Sequence, residues 1–183
     1  MILYVARHGQ TQWNLENKVC GSTDLPLTEE GLRQAELLAQ KVVRVKPDVI
    51  ISSTMLRAMQ TAKASCDTCG MELVTDSRIV EQDFGTYEGI GRFDPDFKIK
   101  RRNFAYVFPQ GESMLQLCHR VYGFLDDIRE KYENKTVVVV CHGSVARVMR
   151  TYFVSMDNEE YFGYLPDNGE LVKYIIDEKE SIL

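Results

Sequence analysis

The sequence predicts an α/β fold in three layers, α/β/α, with a mostly parallel central sheet covered by helices on both faces. Short apolar, β-branched runs alternate with longer segments of helical period, which is the pattern such a sheet requires. The three richest polar clusters fall directly after such runs, where open parallel sheets bind ligands. At 183 residues, 44% of them hydrophobic and 27% charged, the chain fits one domain over residues 1–183 with a core large enough to need no metal or disulfide.

The expected strands are residues 2–6, 49–52, 72–75, 136–141 and 170–176. Between the first two, Thr28 reads as a helix N-cap, with Glu29 and Glu30 in the first turn where the helix dipole favours anions. Leu32, Ala35, Leu38, Ala39 and Val42 then repeat on one face, and Pro47 ends the helix. A second helix starts near Met55 and fades before Gly70. The third starts near Ser113 and buries Met114, Leu117, Cys118, Val121, Leu125 and Ile128; the fourth runs from Ser144 to about Phe153. Residues 90–111 fit neither period, and they hold two prolines, five aromatics and the basic run "KIKRR". This segment is expected to be a cap-like excursion from the sheet, anchored by Phe93, Phe97, Phe104, Tyr106 and Phe108.

Several function classes are disfavoured. A net charge of -5 argues against nucleic-acid binding, which rests on a basic face, so attraction for an anionic substrate must be local. No run approaches the roughly 20 apolar residues of a membrane span. The apolar run from Ile2 to Ala6 is too short for a signal peptide. The cysteines (Cys20, Cys66, Cys69, Cys118, Cys141) are odd in number and lack framework spacing, so reduced thiols in the cytoplasm are expected. Cys66 and Cys69 form a lone CxxC with no second pair or nearby histidine, and no metal role is assigned to it. Nothing in the sequence selects an oligomeric state.

The clusters are "RHGQTQWN" at Arg7 to Asn14, "SSTMLRAMQTA" at Ser52 to Ala62 and "CHGSVAR" at Cys141 to Arg147. If their strands are parallel, all three meet at one sheet edge. Arg7, His8, Arg57 and His142 then converge. The arginine fork matches phosphate oxygens in bidentate fashion, so two of them beside two imidazoles point to a phosphoryl group. Gly9 and Gly143 each follow a histidine and let backbone N–H groups approach the same anion. Gln10 and Trp13 are expected to shape the first loop, and His119, outside the clusters, reads as structural or exposed.

These blocks, together with "EQDFGTYEG" at Glu81 to Gly89 and "GES" at Gly111 to Ser113, resemble the histidine phosphatase superfamily, also called phosphoglycerate mutase-like, in the same order over nearly the whole chain. The resemblance implies that fold and makes His8 the nucleophile that becomes a phosphohistidine. Arg7, Arg57 and His142 would bind the phosphoryl oxygens, assisted by Asn14 and the Gly143 backbone. Glu81 would protonate the leaving oxygen; Asp83 and Glu88 share its loop, and only the family pattern selects Glu81. The implied chemistry needs no metal or other cofactor.

Two assignments stay open at this level. Thr23 either reaches the phosphate or only shapes the turn before Thr28. Arg101 and Arg102 either form a solvated face or grip a second anionic group of the substrate. The expected function is hydrolysis of a small phosphorylated metabolite by a phosphomonoesterase, because the acidic block resembles the phosphatase branch and the excursion is short. The alternatives are a phosphoglycerate mutase, and a phospho-ligand binding module without catalysis.

Overall fold

The computed structural model describes residues 1–176; the last seven residues of the expected 1–183 domain lie outside the described residues. Strand β1 (Ile2–Arg7) leads through a four-residue helix, α1 (Gln12–Leu15), to α2 (Glu29–Val45) and β2 (Val49–Ser53). Helix α3 (Leu56–Cys69) and β3 (Leu73–Asp76) follow. Then come α4 (Pro95–Arg101), α5 (Met114–Lys131), β4 (Thr136–Cys141), α6 (Gly143–Thr151), α7 (Asn158–Gly163) and β5 (Leu171–Ile175).

The strand order is β3-β2-β4-β1-β5. The first four run parallel, and β5 pairs antiparallel with β1 at the edge. The run "VVVV" in β4 explains its central place, since each of Val137 to Val140 is fully buried, as a strand covered on both faces must be. Period two then divides these side chains between the layers. Leu3, Val5, Ile51, Val137 and Val139 pack with α5 and α6, whereas Ala6, Ile50, Val138 and Val140 pack with α2 and α3. Burying one such valine contributes about 1.5–3 kcal/mol, so β4 carries a large share of the core on both sides.

The helix ends follow their caps. Thr28 accepts from the Gly31 N–H at 3.1 Å, as expected of an N-cap, and α2 ends one residue before a left-handed Lys46. Helix α3 ends on left-handed Gly70, and Ser113 with Gln116 forms a reciprocal capping box that starts α5.

The excursion is more regular than its sequence suggests. Asp94 caps α4 by accepting from Phe97 N–H at 2.9 Å, and Pro95 occupies the first turn. Phe97 and Phe108 join Val19 and Phe84 in a separate small core against Tyr106, while Phe104 packs instead into the main core beside Tyr161 and Phe162. Phe93 departs from expectation: it is 64% exposed and anchors nothing buried. His119 is exposed, and the five cysteines are free thiols. Among the described residues, no helix is long and apolar enough to cross a membrane.

Candidate active site

Because β1, β2 and β4 are parallel and in register, Arg7 lies opposite Cys141 and Ser52 opposite Val140. The residues that follow these strand ends therefore share one edge. The His8 N–H extends the ladder by one bond to the Cys141 carbonyl, at 3.0 Å. The His8 and His142 rings end with centroids 5.1 Å apart and planes tilted by 57°. Arg57 joins them from the first turn of α3 and is fully buried.

His8 is prepared as a nucleophile by its own backbone. Its Nδ1 lies 2.7 Å from the Gly9 carbonyl, which can only accept, so Nδ1 carries the hydrogen and Nε2 keeps its lone pair. Burial, then the charges of Arg57 and Arg7, push the His8 pKa well below the usual imidazole value, so the ring is neutral. Gly9 is held by a bond from its N–H to Thr61 Oγ1 at 3.0 Å. A Cβ at Gly9 would stand 2.3 Å from the Gly31 carbonyl oxygen, so the loop closes against α2 only with glycine there. Gln10 completes that joint by accepting the Thr28 N–H through its carbonyl, and the Trp13 ring lies against Gly89.

Three buried nitrogens beside His8 have no hydrogen-bond partner among the described residues: Arg7 Nε, Arg57 Nε and His142 Nδ1. Buried polar nitrogens are otherwise almost always paired, so unpartnered ones next to His8 are consistent with a place for an external acceptor. Their frames are fixed. Arg57 donates from Nη1 and Nη2 to the Thr23 and Gly21 carbonyls at 2.9 and 2.8 Å, and Arg7 donates from Nη1 to the Pro166 carbonyl at 3.2 Å. His142 Nε2 lies 2.8 Å from Ser53 Oγ. Burial, then Arg57 and His8, keep His142 neutral as well. Burial and neighbouring Arg92 lower the Arg7 pKa to about 10, which leaves it cationic at neutral pH.

Glu81 sits at the N-terminus of α6. Its carboxylate accepts from the Ser144 N–H at 3.1–3.2 Å and from the Gln82 N–H at 2.9 Å. Of the three acidic candidates in that loop, Glu81 alone lines the cavity beside His8. Glu88 accepts from the Ser22 and Thr23 N–H groups at 2.6 and 2.7 Å and from both hydroxyls; burial opposes its ionisation, but these bonds outweigh it and hold its pKa low. Asp83 accepts from Gly85 N–H and Ser22 Oγ.

The cavity measures about 270 Å³, and Arg7, His8, Asn14, Glu81, Gly143 and Arg101 are among its lining residues. Arg57 and His142 adjoin His8 from the protein interior. Arg57 and His142 are themselves not among the lining residues, and neither are Thr23 and Arg102. The Thr23 hydroxyl is spent on Glu88, and the exposed Arg102 reaches outward to an ion pair with Glu159. Conversely, Arg92 and Arg147 line the cavity and were not singled out from the sequence. Arg147 could have been found, since it lies four residues after Gly143 on α6 and so on the same helical face.

The family model of the histidine phosphatase superfamily (branch 1) matches residues 3–183. The chain belongs to this superfamily. A phosphoserine phosphatase 1 from Hydrogenobacter thermophilus is 30% identical over 188 aligned residues, covering 99% of this chain and 89% of the relative. A probable phosphoglycerate mutase GpmB from Yersinia pestis is 38% identical over 148 residues, 77% of this chain and 69% of the relative. The crystal structure of a putative alpha-ribazole-5'-P phosphatase from Escherichia coli superposes with a TM-score of 0.86 at 24% identity, covering 98% of this chain and 92% of that one, which supports the fold. Histidine phosphatase superfamily relatives thus include both phosphatases and a mutase, and the mixed α/β sheet is theirs.

Proposed function

We propose that this chain is a phosphomonoesterase that hydrolyses a small phosphorylated metabolite through a phosphohistidine on His8. The observation that carries the reading is the neutral His8 imidazole, its Nε2 free among the described residues, beside three buried nitrogens without a partner among them. In the first displacement an Nε2–phosphorus bond forms as the ester P–O bond breaks, and Glu81 gives its proton to the departing oxygen. In the second, water attacks phosphorus, the P–N bond breaks, and Glu81 takes the water's proton. Arg7, Arg57 and His142 hold the equatorial oxygens throughout, and their fixed frames mean that little reorganisation accompanies the charge shift. Asn14 and the Gly143 backbone border the same cavity and would assist.

The test is turnover of p-nitrophenyl phosphate in chelator, with capture of an acid-labile phosphoprotein. Wild type should give both, and His8→Ala neither. Turnover that persists in His8→Ala would refute the nucleophile assignment. A mutase reading is favoured by the probable phosphoglycerate mutase relatives; a coupled assay with 2- and 3-phosphoglycerate separates the two, and interconversion faster than phosphate release would select the mutase.

A further inference from the structure

Glu88 shares a loop with Glu81 and is not among the residues that line the cavity. Its carboxylate nevertheless accepts five hydrogen bonds. Oε1 takes the Ser22 N–H at 2.6 Å, the Ser22 hydroxyl at 3.0 Å and the Phe84 N–H at 3.2 Å, while Oε2 takes the Thr23 N–H at 2.7 Å and the Thr23 hydroxyl. A Cβ at Gly21 would stand 2.4 Å from Oε1, so an approach this close requires glycine there.

The segment that Glu88 grips is the one that holds Arg57. The Gly21 and Thr23 carbonyls accept from Arg57 Nη2 and Nη1 at 2.8 and 2.9 Å. In a trans peptide the C=O and the N–H point to opposite edges, and the Gly21 carbonyl and the Ser22 N–H belong to one peptide. Glu88 and Arg57 therefore hold that peptide from opposite sides. Thr23 repeats the arrangement, with its N–H on Glu88 and its carbonyl on Arg57. An anion on one edge also polarises the peptide, which makes its oxygen a better acceptor for the cation on the other.

Arg57 needs that support. It is fully buried, and its one carboxylate within ion-pair distance among the described residues is Asp24, at 3.8 Å and 45% exposed, a geometry that contributes little. Two fixed carbonyls set the plane of the guanidinium. They take two of its five N–H donors, which leaves Nε and the remaining Nη hydrogens for an external acceptor.

We propose that Glu88 is a positioning residue for phosphoryl transfer: by turning the Gly21 and Thr23 carbonyls toward Arg57, it aims the remaining donors of that guanidinium at the phosphoryl oxygens. The proposal rests on the phosphatase reading and adds a part to its machinery. It gives the Thr23 hydroxyl a bracing task in place of a contact with phosphate.

The test is a double-mutant cycle read with p-nitrophenyl phosphate. Glu88→Gln keeps the size of the side chain but removes the charge and turns a donor toward Thr23, and kcat/KM should fall by about tenfold or more. In an Arg57→Ala background the same substitution should change the residual kcat/KM by less than about twofold, because the group that it positions is gone. Equal losses in both backgrounds overturn the proposal and make Glu88 a general brace. If Glu88→Gln does not fold, Thr23→Val removes one of the five bonds and should show a smaller, severalfold loss with the same dependence on Arg57; additive losses there overturn the proposal too. Side-chain NMR of Arg57 gives a readout that needs no turnover. Wild type should show distinct Nη hydrogens, held by the two carbonyls, and Glu88→Gln, or Thr23→Val in its place, should average them; unchanged signals overturn the proposal. Absence of turnover in wild type would count against the phosphatase reading alone, and the NMR comparison would still decide whether Glu88 fixes Arg57.

Discussion

Arg120 on α5 clamps the backbone of Glu81: its Nη2 donates to the Glu81 carbonyl at 3.0 Å, while Nη1 donates to the Val80 carbonyl at 2.7 Å and to that of Arg78. The same guanidinium pairs with Glu112 at 2.6 Å, and Glu112 in turn accepts the Asp83 N–H at 3.0 Å. One ion pair therefore grips the segment on both sides of Glu81. Neither Arg120 nor Glu112 is itself among the residues that line the cavity. The main effect of Arg120 on chemistry is expected through the carboxylate that it places, while its charge, after burial, Arg57 and His8, is also among the causes that lower the His142 pKa.

Replacing Arg120 with Gln should thus imitate a misplaced proton donor. An alkyl phosphate needs its leaving oxygen protonated, and its kcat should fall by about tenfold or more, whereas p-nitrophenyl phosphate should lose far less. In a Glu81→Gln background, the selective loss on alkyl phosphates should vanish, because residues that act as one unit are not additive. Equal losses on both esters, or additive effects in the double variant, would make the clamp a general stabiliser.

Stability should depend on pH through the two buried imidazoles. Both His8 and His142 have pKa values well below the ordinary 6.5, chiefly from burial. Above that value neither folded nor unfolded chain is protonated at these sites, and their contribution is fully present. As pH falls below 6.5 the unfolded chain takes up protons that the folded one refuses, and the contribution is lost progressively toward the folded pKa values. Each site adds about 1.4 kcal/mol per pH unit to that slope. Urea melts between pH 7.5 and 5 should show a shallower slope in His142→Gln than in wild type. Parallel slopes would mean that His142 is readily protonated in the folded protein.

The strand pattern and the site edge were legible because they rest on long-range regularities. The alternation of "ILYVA" and "TVVVVC" with helical segments fixes a parallel sheet, and the polar clusters after those runs then have to meet. Helices α1 and α7 were missed since four and six residues are too few to display a period; their capping boxes at Thr11 and Asp157 were the available local signal. Arg92 gave no sign at all. Its place depends on the path of the excursion, which is set by tertiary contacts such as the packing of Phe97 and Phe108 with Val19 and Phe84. Arg101 and Arg102, adjacent in sequence, diverge for the ordinary helical reason that neighbouring residues project about 100° apart, one toward the cavity and one toward Glu159.

Ser53 supplies the last prediction. It ends β2, and its Oγ already accepts the Met55 N–H at 3.3 Å, so its own hydrogen is available to His142 Nε2 at 2.8 Å. A ring that accepts at Nε2 must carry its hydrogen on Nδ1, which is the unpartnered donor beside the phosphate position. The hydroxyl thus selects the tautomer that can stabilise a phosphoryl oxygen. Ser53→Ala removes that selection while leaving the imidazole in place, and kcat should fall by about tenfold or more, in keeping with the loss of one oriented donor. Ser53→Thr, which keeps the hydroxyl, should recover part of the rate. Proton NMR of the imidazole N–H signals separates this from simple loosening: wild type should show the His142 Nδ1 hydrogen and the alanine variant a mixture of both tautomers. A single unchanged tautomer in Ser53→Ala would show that the histidine is oriented by something other than Ser53.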